Sequence, residues 1–457
     1  MAGKTKRKGG FWNFVDNFEG DKIVWMIVLL LIMISILAIS SSTSLLAIET
    51  KSTRSAIIVE QMKIAALGLA LIIGCYNIKR IKFFRFISQF GFILSLGLLS
   101  MLVFHISLGG IKPVNINGAT RALSIMGKFT LHVSEVVKVA MVMYLAWAVD
   151  TYRKDGFTLA NALAETRYFS FMGRDFWKKA FYIYGPILIV CVGLMDGSNS
   201  AAAFIGLIMG VTILIGGIKI RELIPFALVG VVLIGLAVGV SLATEGKVFE
   251  RVYTAAERIK RFSENPEQQL LAQKRGTKEF QEVLDKVRQP ISAKVAVSEG
   301  GLMGKGPGRS TQRYIVPVMF GDYMFSFIVE EYGLFGALVV LILYGSLLAR
   351  GSIIVRNCDS VFAKTAVAGL VILISGQALL HMFVNVDLGP LTGQTLPMIS
   401  HGNASFLCFS IAFGIILSIS RMAKKKIDKE TFAAEPIVEA SDPVGDEMDT
   451  LENIYDI

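Results

Sequence analysis

The chain has 457 residues, 53% of them hydrophobic, with a mean hydropathy of +0.59 and a formal net charge of +10. So apolar a composition is more than a water-soluble core of this length hides, which excludes a soluble enzyme and points to a chain that crosses a membrane. No phosphate-binding P-loop is present and the four histidines (His105, His132, His381, His401) lack metal-ligand spacing, which argues against nucleotide-driven transport and a preformed metal centre.

In chain order, residues 1–22 form a basic cytoplasmic segment, with KTKRK at 4–8. Apolar runs follow at 23–48, 62–78, 86–107, 133–149, 180–195, 199–218 and 222–243, making 23–243 a block of seven spans. A long polar loop occupies 244–321, and three further runs at 322–349, 361–385 and 396–420 make up the block 322–421. A run of about 20 apolar residues crosses the hydrocarbon layer as a helix, since only a helix or a closed barrel satisfies every backbone polar group there. The period-2 alternation of a barrel is absent. The expectation is therefore an all-α, polytopic membrane protein of ten transmembrane helices, with a tight hairpin at 196–199 between the fifth and sixth.

Lys and Arg in short loops are retained on the cytoplasmic side. KTKRK (4–8), KRIKFFR (79–85), YRK (152–154), KIR (219–221), ARGSIIVR (349–356) and RMAKKK (421–426) fall at alternate ends of successive runs. This pattern puts both termini in the cytoplasm and requires an even number of crossings. The 244–321 loop is then extracytoplasmic, and between 245 and 318 it holds 14 Lys and Arg against 9 Asp and Glu. Such an excess of positive charge on that side calls for an anionic partner, phosphate or lipid headgroup. Within the loop, PEQQLLAQKRGTKEFQEVLDKVR (266–288) has the spacing of a surface helix. Residues 422–457 form the cytoplasmic tail, which from 430 onward carries nine acidic and no basic side chains, the composition of a disordered extension. Cys75, Cys191, Cys358 and Cys408 lie in spans or on the inner side, so no external disulfide is expected. The first run is too long for a cleaved signal peptide and acts as a start-transfer helix.

Polar chemistry collects toward the outer ends of the runs. Glu135 and Lys138 are three apart and share one helix face, as a structural ion pair or as the lining of a polar cavity. NVDLGPLTGQTLPMISHGNASF (385–406) suits a re-entrant or broken helix, or a kinked one packed through small residues. Most pointed is GGLMGKGPGRSTQRYIVPVMFGDYMF (300–325), a glycine-rich cationic stretch that ends on a lone carboxylate, Asp322, and runs directly into an apolar segment.

Extended to GGLMGKGPGRSTQRYIVPVMFGDYMFSFIVEEYGLFG (300–336), that stretch resembles the long-loop signature of the SEDS family (shape, elongation, division and sporulation), the FtsW/RodA peptidoglycan glycosyltransferases. NGATRAL with SEVVK (117–138), RIKRFSENP (258–266) and LPMISHGNASF (396–406) resemble further blocks of that family in the right order, so the likeness runs from about 20 to 425. Departures are present: Val133 replaces a Pro before Ser-Glu, LMDGSNSA (194–201) keeps Asp196 but lacks the family's Pro, Phe320-Gly321-Asp322 replaces His-Thr-Asp, and Ser400 to Ser405 departs from Ser-x-Gly-Gly-Ser. Segment 266–288 looks like an insertion.

The resemblance implies polymerisation of lipid II, the polyprenyl pyrophosphate-linked disaccharide peptide, with Asp322 as general base. It implies substrate binding by Lys305, Arg309, Gln312, Arg313, Glu135, Lys138, Arg121, Ser400 and Ser405. Lys305, Arg309 and Arg313, with backbone N–H groups freed by Gly304, Gly306 and Gly308, would receive the leaving pyrophosphate, the alternative reading of the glycine run being a flexible hinge. No resident cofactor is implied, although a divalent cation, Mg or Mn, is compatible with that departure. Expected partners are a class B penicillin-binding protein and other divisome membrane proteins, in the bacterial inner membrane at the septum, with no nucleic acid. A lipid II flippase, a non-catalytic scaffold for a transpeptidase, and an elongation rather than a division role are the alternatives.

Overall fold

The structure, a computed structural model, describes residues 19–42, 53–116, 119–127, 129–166, 168–195, 197–244, 271, 277–316 and 319–434. The basic segment KTKRK, Asp196, the RIKRFSENP block and the acidic tail beyond 434 lie outside the described residues.

Helices α1 (Lys22–Ser42), α2 (Arg54–Tyr76) and α3 (Ile81–Val103) lead into strands β1 (Ile111–Ile116), β2 (Ala119–Ile125) and β3 (Phe129–His132). Next come α4 (Val133–Arg153), the short α5 (Thr158–Ala164), α6 (Asp175–Met195, with a π-type turn at Ala180–Tyr184), α7 (Asn199–Ile215) and α8 (Ile220–Ala243). After the long loop, α9 (Lys278–Gly300), α10 (Met324–Arg356), α11 (Val361–Asn385) and α12 (Asn403–Ala434) complete the described chain. Seven of these, α1, α2, α3, α6, α10, α11 and α12, are long and apolar enough to cross a membrane, which makes the protein a polytopic membrane protein. Shorter α7, together with α4 and α8, fills the remaining predicted runs.

Local chemistry sets several helix starts. Thr53, Ser198 and Thr277 each cap a helix through a side-chain oxygen that accepts a backbone N–H, at 3.3, 3.3 and 3.2 Å. Of the surface helix predicted at 266–288, residues 278–288 belong to α9, which continues to Gly300 and packs on α10, while 266–270 and 272–276 lie outside the described residues.

The all-α expectation needs correction. Residues 111–132 form a three-stranded antiparallel sheet in the order β1-β2-β3, with Leu123 opposite Leu131 and a bulge at Val114/Asn115. The rule that admits only helices and barrels applies inside hydrocarbon, whereas this sheet sits past the end of α3 and before the start of α4. Two further boundaries shift. The eighth predicted run becomes helix α10 only at Met324, leaving Asp322 in the preceding turn, and the tenth becomes α12 only at Asn403, leaving 386–402 irregular.

The centre of the bundle holds α11 and α12, whose most apolar stretches are 67% and 78% buried, while α2 and α3 face outward at 28% and 22%. At one end of the bundle the Asp21 N–H donates to Ser420 Oγ (2.9 Å), Arg350 Nε donates to Asp21 Oδ2 (2.8 Å), and the Tyr76 hydroxyl donates to the Glu19 carbonyl (3.0 Å). The start of α1 therefore lies beside α12 at Ser420. At the opposite end, the irregular segment 386–402 folds back among the helices, burying Leu396, Met398, Ile399 and Ser400.

Helix α10 is broken inside. Gly333 has φ 66° and ψ −164°, a conformation that side chains with a Cβ avoid. A Cβ there would lie 2.3 Å from the Leu302 carbonyl oxygen, because the glycine loop docks into the break.

Candidate active site

The turn that carries Asp322 is held from both sides by groups on α11 and segment 386–402. Asn385 Nδ2 donates to the Asp322 carbonyl (3.0 Å), while its Oδ1 accepts from the Ser326 N–H (3.0 Å) and the Ser326 hydroxyl (3.0 Å). His381 Nε2 accepts from the Phe325 N–H (3.3 Å) and its Nδ1 side bonds the Gln394 carbonyl (2.7 Å), a pattern that fits the neutral Nδ1–H tautomer. Ser400 Oγ donates to the Gly321 carbonyl (2.8 Å), and the His401 N–H donates to the Phe320 carbonyl (2.9 Å). The backbone is thereby fixed before and after Asp322. Its carboxylate stays half-buried beside Gly393, where even an added methyl group would lie 3.8 Å from Asp322 Oδ2. Bare backbone at Gly393 keeps that approach open.

One residue further along the segment, Gln394 joins a second cluster. Lys138, 1% exposed, donates to Glu135 Oε1 (2.7 Å), Gln377 Oε1 (2.8 Å) and Gln394 Oε1 (2.8 Å). All three of its N–H donors are used, so the ammonium clamps α4, α11 and segment 386–402 together. Glu135 Oε2 is buried without a hydrogen-bond partner, an acceptor left for a water or a substrate hydroxyl. Together these side chains form a polar site at the end of the bundle opposite Asp21 and Ser420.

The glycine loop takes up a different arrangement. Its Lys305 and Gly306 N–H groups donate to the carbonyls of Glu330 and Glu331 (both 2.9 Å), and the Leu334 N–H returns to the Gly301 carbonyl (2.9 Å). The broken helix thus recovers its backbone bonds from the loop. The two glutamates, both fully buried, hold the rest. Glu330 accepts from Lys305 Nζ (2.8 Å), the Thr311 N–H (2.8 Å), the Gln312 N–H (3.3 Å) and the Ser310 hydroxyl. Glu331 accepts from the Ser41 hydroxyl (2.6 Å) and the Gly308 N–H (3.0 Å), with Arg313 Nη1 at 4.0 Å. Burial would lower the Lys305 pKa, but its hydrogen bonds to Glu299 and Glu330 and their negative charges outweigh that and hold it above the ordinary lysine value.

The N–H groups expected to be freed at Gly304, Gly306 and Gly308 are therefore engaged within the chain, because the loop closes on carboxylates that sequence reading places inside an apolar helix. Gln312 and Arg313 are buried in this clasp, and Arg313 also stacks 4.8 Å from the Tyr314 ring centre. Arg309 is exposed. Arg121 lies elsewhere, its Nε donating to the Gly197 carbonyl (2.8 Å) and tying the sheet to the 197–199 turn. Ser405 Oγ lies 3.0 Å from Thr395 Oγ1, inside segment packing. The structure thus brings together Asp322, Glu135, Lys138 and Ser400, and gathers Lys305, Gln312 and Arg313 in a separate cluster.

Sequence reading missed Gln377, His381, Gln394, Glu330 and Glu331. A signal for the first two was present. Gln377, His381 and Asn385 recur every fourth residue along apolar α11, which puts one polar stripe on one helix face. Among the described residues no three His, Cys, Asp or Glu side chains converge as a metal site.

Residues 21–425 match the sequence profile of the FtsW, RodA and SpoVE family, described as a cell cycle protein. The chain belongs to this family. Curated relatives include a probable peptidoglycan glycosyltransferase FtsW of Caulobacter vibrioides, 27% identical over 307 residues and covering 67% of each chain. Another, from Marinobacter nauticus, is 26% identical over 408 residues, 88% of this chain and 90% of that one. Among solved structures, a chain from a peptidoglycan synthase complex aligns with a TM-score of 0.61 at 20% identity, covering 88% of this chain and 98% of that chain. Rod shape determining protein RodA of Thermus thermophilus aligns with a TM-score of 0.52 at 18% identity, covering 89% of this chain and 98% of that chain. These structural likenesses concern the fold, an FtsW/RodA-type membrane bundle.

Proposed function

We propose that the protein is a peptidoglycan glycosyltransferase that joins lipid II units into glycan strands during septal wall synthesis. The names of its FtsW relatives support this reading, and the observation that carries it is the half-buried Asp322 carboxylate on a turn braced by Asn385, His381 and Ser400. In the reaction a sugar hydroxyl of the acceptor attacks the donor's anomeric carbon, the bond from that carbon to polyprenyl pyrophosphate breaks, and the hydroxyl proton passes to Asp322. A hydroxyl is a poor nucleophile until that proton leaves, and a carboxylate at the membrane boundary is placed to take it. Charge on the departing pyrophosphate calls for cations such as Arg309, Lys305 and Arg313. The last two would have to exchange their glutamate partners for phosphate. The contact of the α1 start with Ser420 of α12 supports an even number of crossings, as the proposed ten crossings require.

Asp322→Asn keeps volume and removes the base. With purified protein and lipid II, glycan synthesis should fall by about 10²-fold or more, since general bases contribute about 10²–10⁴-fold; retention of more than about a tenth of the activity would remove Asp322 from this role. The same assay separates polymerase from flippase and scaffold. A class B penicillin-binding protein is the proposed partner, acting on the long loop, which is far longer than ordinary connections. Because α9 begins at Lys278, the clean deletion for testing that contact is 266–276 rather than 266–288. It should weaken partner-stimulated synthesis and leave basal synthesis measurable.

A further inference from the structure

At the end of the bundle away from Asp322, three helix segments converge: α2 ends at Tyr76, α3 starts at Ile81, and α12 passes Arg421. A cavity of about 600 Å³ opens there, lined by Lys79, Arg80, Ile81, Lys82, Arg421 and Met422. Four of these six are cations, and no carboxylate is among the lining residues. Arg421 is 5% exposed and fixed, its guanidinium 4.3 Å from the Tyr76 ring centre and Nη2 within 3.5 Å of the Ile78 carbonyl. Lys79, Arg80 and Lys82 are exposed, and their side chains pair with no other described residue. From the cavity an uncovered apolar stripe runs along α3 through Phe83, Phe86, Phe90 and Ile93, spaced so that they share one helix face.

We infer that this cavity binds the headgroup of an anionic phospholipid, with the phosphate among the cations and the acyl chains along the phenylalanine stripe. Cations held this close repel one another, and a bound phosphate relieves that repulsion. Near an anionic membrane surface each Lys or Arg attracts such lipids by about 1 kcal/mol, and basic pockets between helix ends recognise their headgroups. The two-part layout favours a lipid, whose phosphate meets the cations while its chains lie on the outward face of spanning helix α3. The acidic tail could supply carboxylates to the cavity, but its charged residues have nothing to offer the phenylalanines.

The test is lipid retention, a readout independent of glycan synthesis. Full-length protein is purified from membranes containing phosphatidylglycerol and phosphatidylcholine, and bound lipid is quantified by mass spectrometry. The wild type should retain phosphatidylglycerol preferentially. Lys79→Gln/Arg80→Gln/Lys82→Gln should lose at least about fivefold of it, an effect of roughly 1 kcal/mol. Phe86→Ser, with all charges intact, should lose a smaller part. A control at another exposed basic turn, Lys219→Gln/Arg221→Gln, should retain it fully. Equal losses in the triple variant and the control, or equal retention of both lipids by the wild type, would reduce the cavity to a generic basic surface. Several-fold higher retention after removal of 435–457 would make the tail the resident occupant and overturn the proposal.

Discussion

Two buried charge clusters near the same end of the bundle do different work. In the first, Lys138 bonds Glu135, Gln377 and Gln394 through side chains alone, and two of those three partners stand on unbroken helices. In the second, Glu330 and Glu331 receive backbone N–H groups from the glycine loop, and the helix that bears them is broken at Gly333. One cluster fastens finished elements to each other. The other completes an element that cannot satisfy its own backbone. Buried charge is therefore used once as a rivet between helices and once as a template for a loop, and the two should fail differently.

The largest effect should follow Lys138→Met, which strands Glu135 in a buried site; losing one partner of a buried pair costs about 3–5 kcal/mol. Glu135→Leu/Lys138→Met should cost less than the single change, read as thermal unfolding in detergent. Additive effects around that double-mutant cycle would show two independent residues and dissolve the rivet.

Next comes Gly333→Ala. A non-glycine residue held in such a backbone region costs about 1–3 kcal/mol, and the new methyl group also meets the Leu302 carbonyl. Hydrogen exchange should speed up across 301–313 and stay unchanged in α4. Faster exchange in both places would mean that the clusters form one unit.

Glu330→Gln should be milder for global stability, at about 1–3 kcal/mol, since the amide keeps the shape but loses the charge that Lys305 and the loop N–H groups seek. Loop exchange should rise, and Lys305→Met should add little on top, because both changes cut the same bond. Full additivity would uncouple the lysine from the clasp.

The smallest effect concerns pH. Lys305 titrates above its ordinary value of 10.5, so its contribution is fully present below that value and is lost as pH rises through the higher folded value. Loop protection, corrected for intrinsic exchange, should be flat from neutral pH to about 9 and weaken only in strong alkali. A loss already complete near neutrality would show that Lys305 takes no part.

The ten apolar runs were legible because each is a continuous stretch of residues that hydrocarbon accepts, and a helix is found at every one of them. Glu135 and Lys138 were legible because i, i+3 spacing fixes a shared face before any tertiary contact forms. The clasp was not. Glu330 and Glu331 sit in a 33-residue helix whose apolar average conceals both the charges and the break, and their partners lie some 20 residues upstream in a loop with no period of its own. The sheet escaped notice because strands of four to seven residues give too little alternation to stand out beside such long apolar runs. Gln394 became part of the site only through the fold-back of 386–402, a tertiary event without local signature.

The break at Gly333 also has a mechanical side. Unbroken, 33 residues would make a rod of about 50 Å, well beyond the roughly 30 Å of hydrocarbon it has to cross. The break instead leaves a long lower shaft and a short upper arm, Met324 to Tyr332, about 13 Å in length, with Asp322 just past its tip. A swing of about 10° at the glycine would displace that tip by about 2 Å, and a misplacement of about 1 Å is enough to cost an enzyme about 10²-fold in rate. The loop seated in the break therefore sets the angle between arm and shaft, as the bonds from Asn385, His381 and Ser400 hold the far end of the arm.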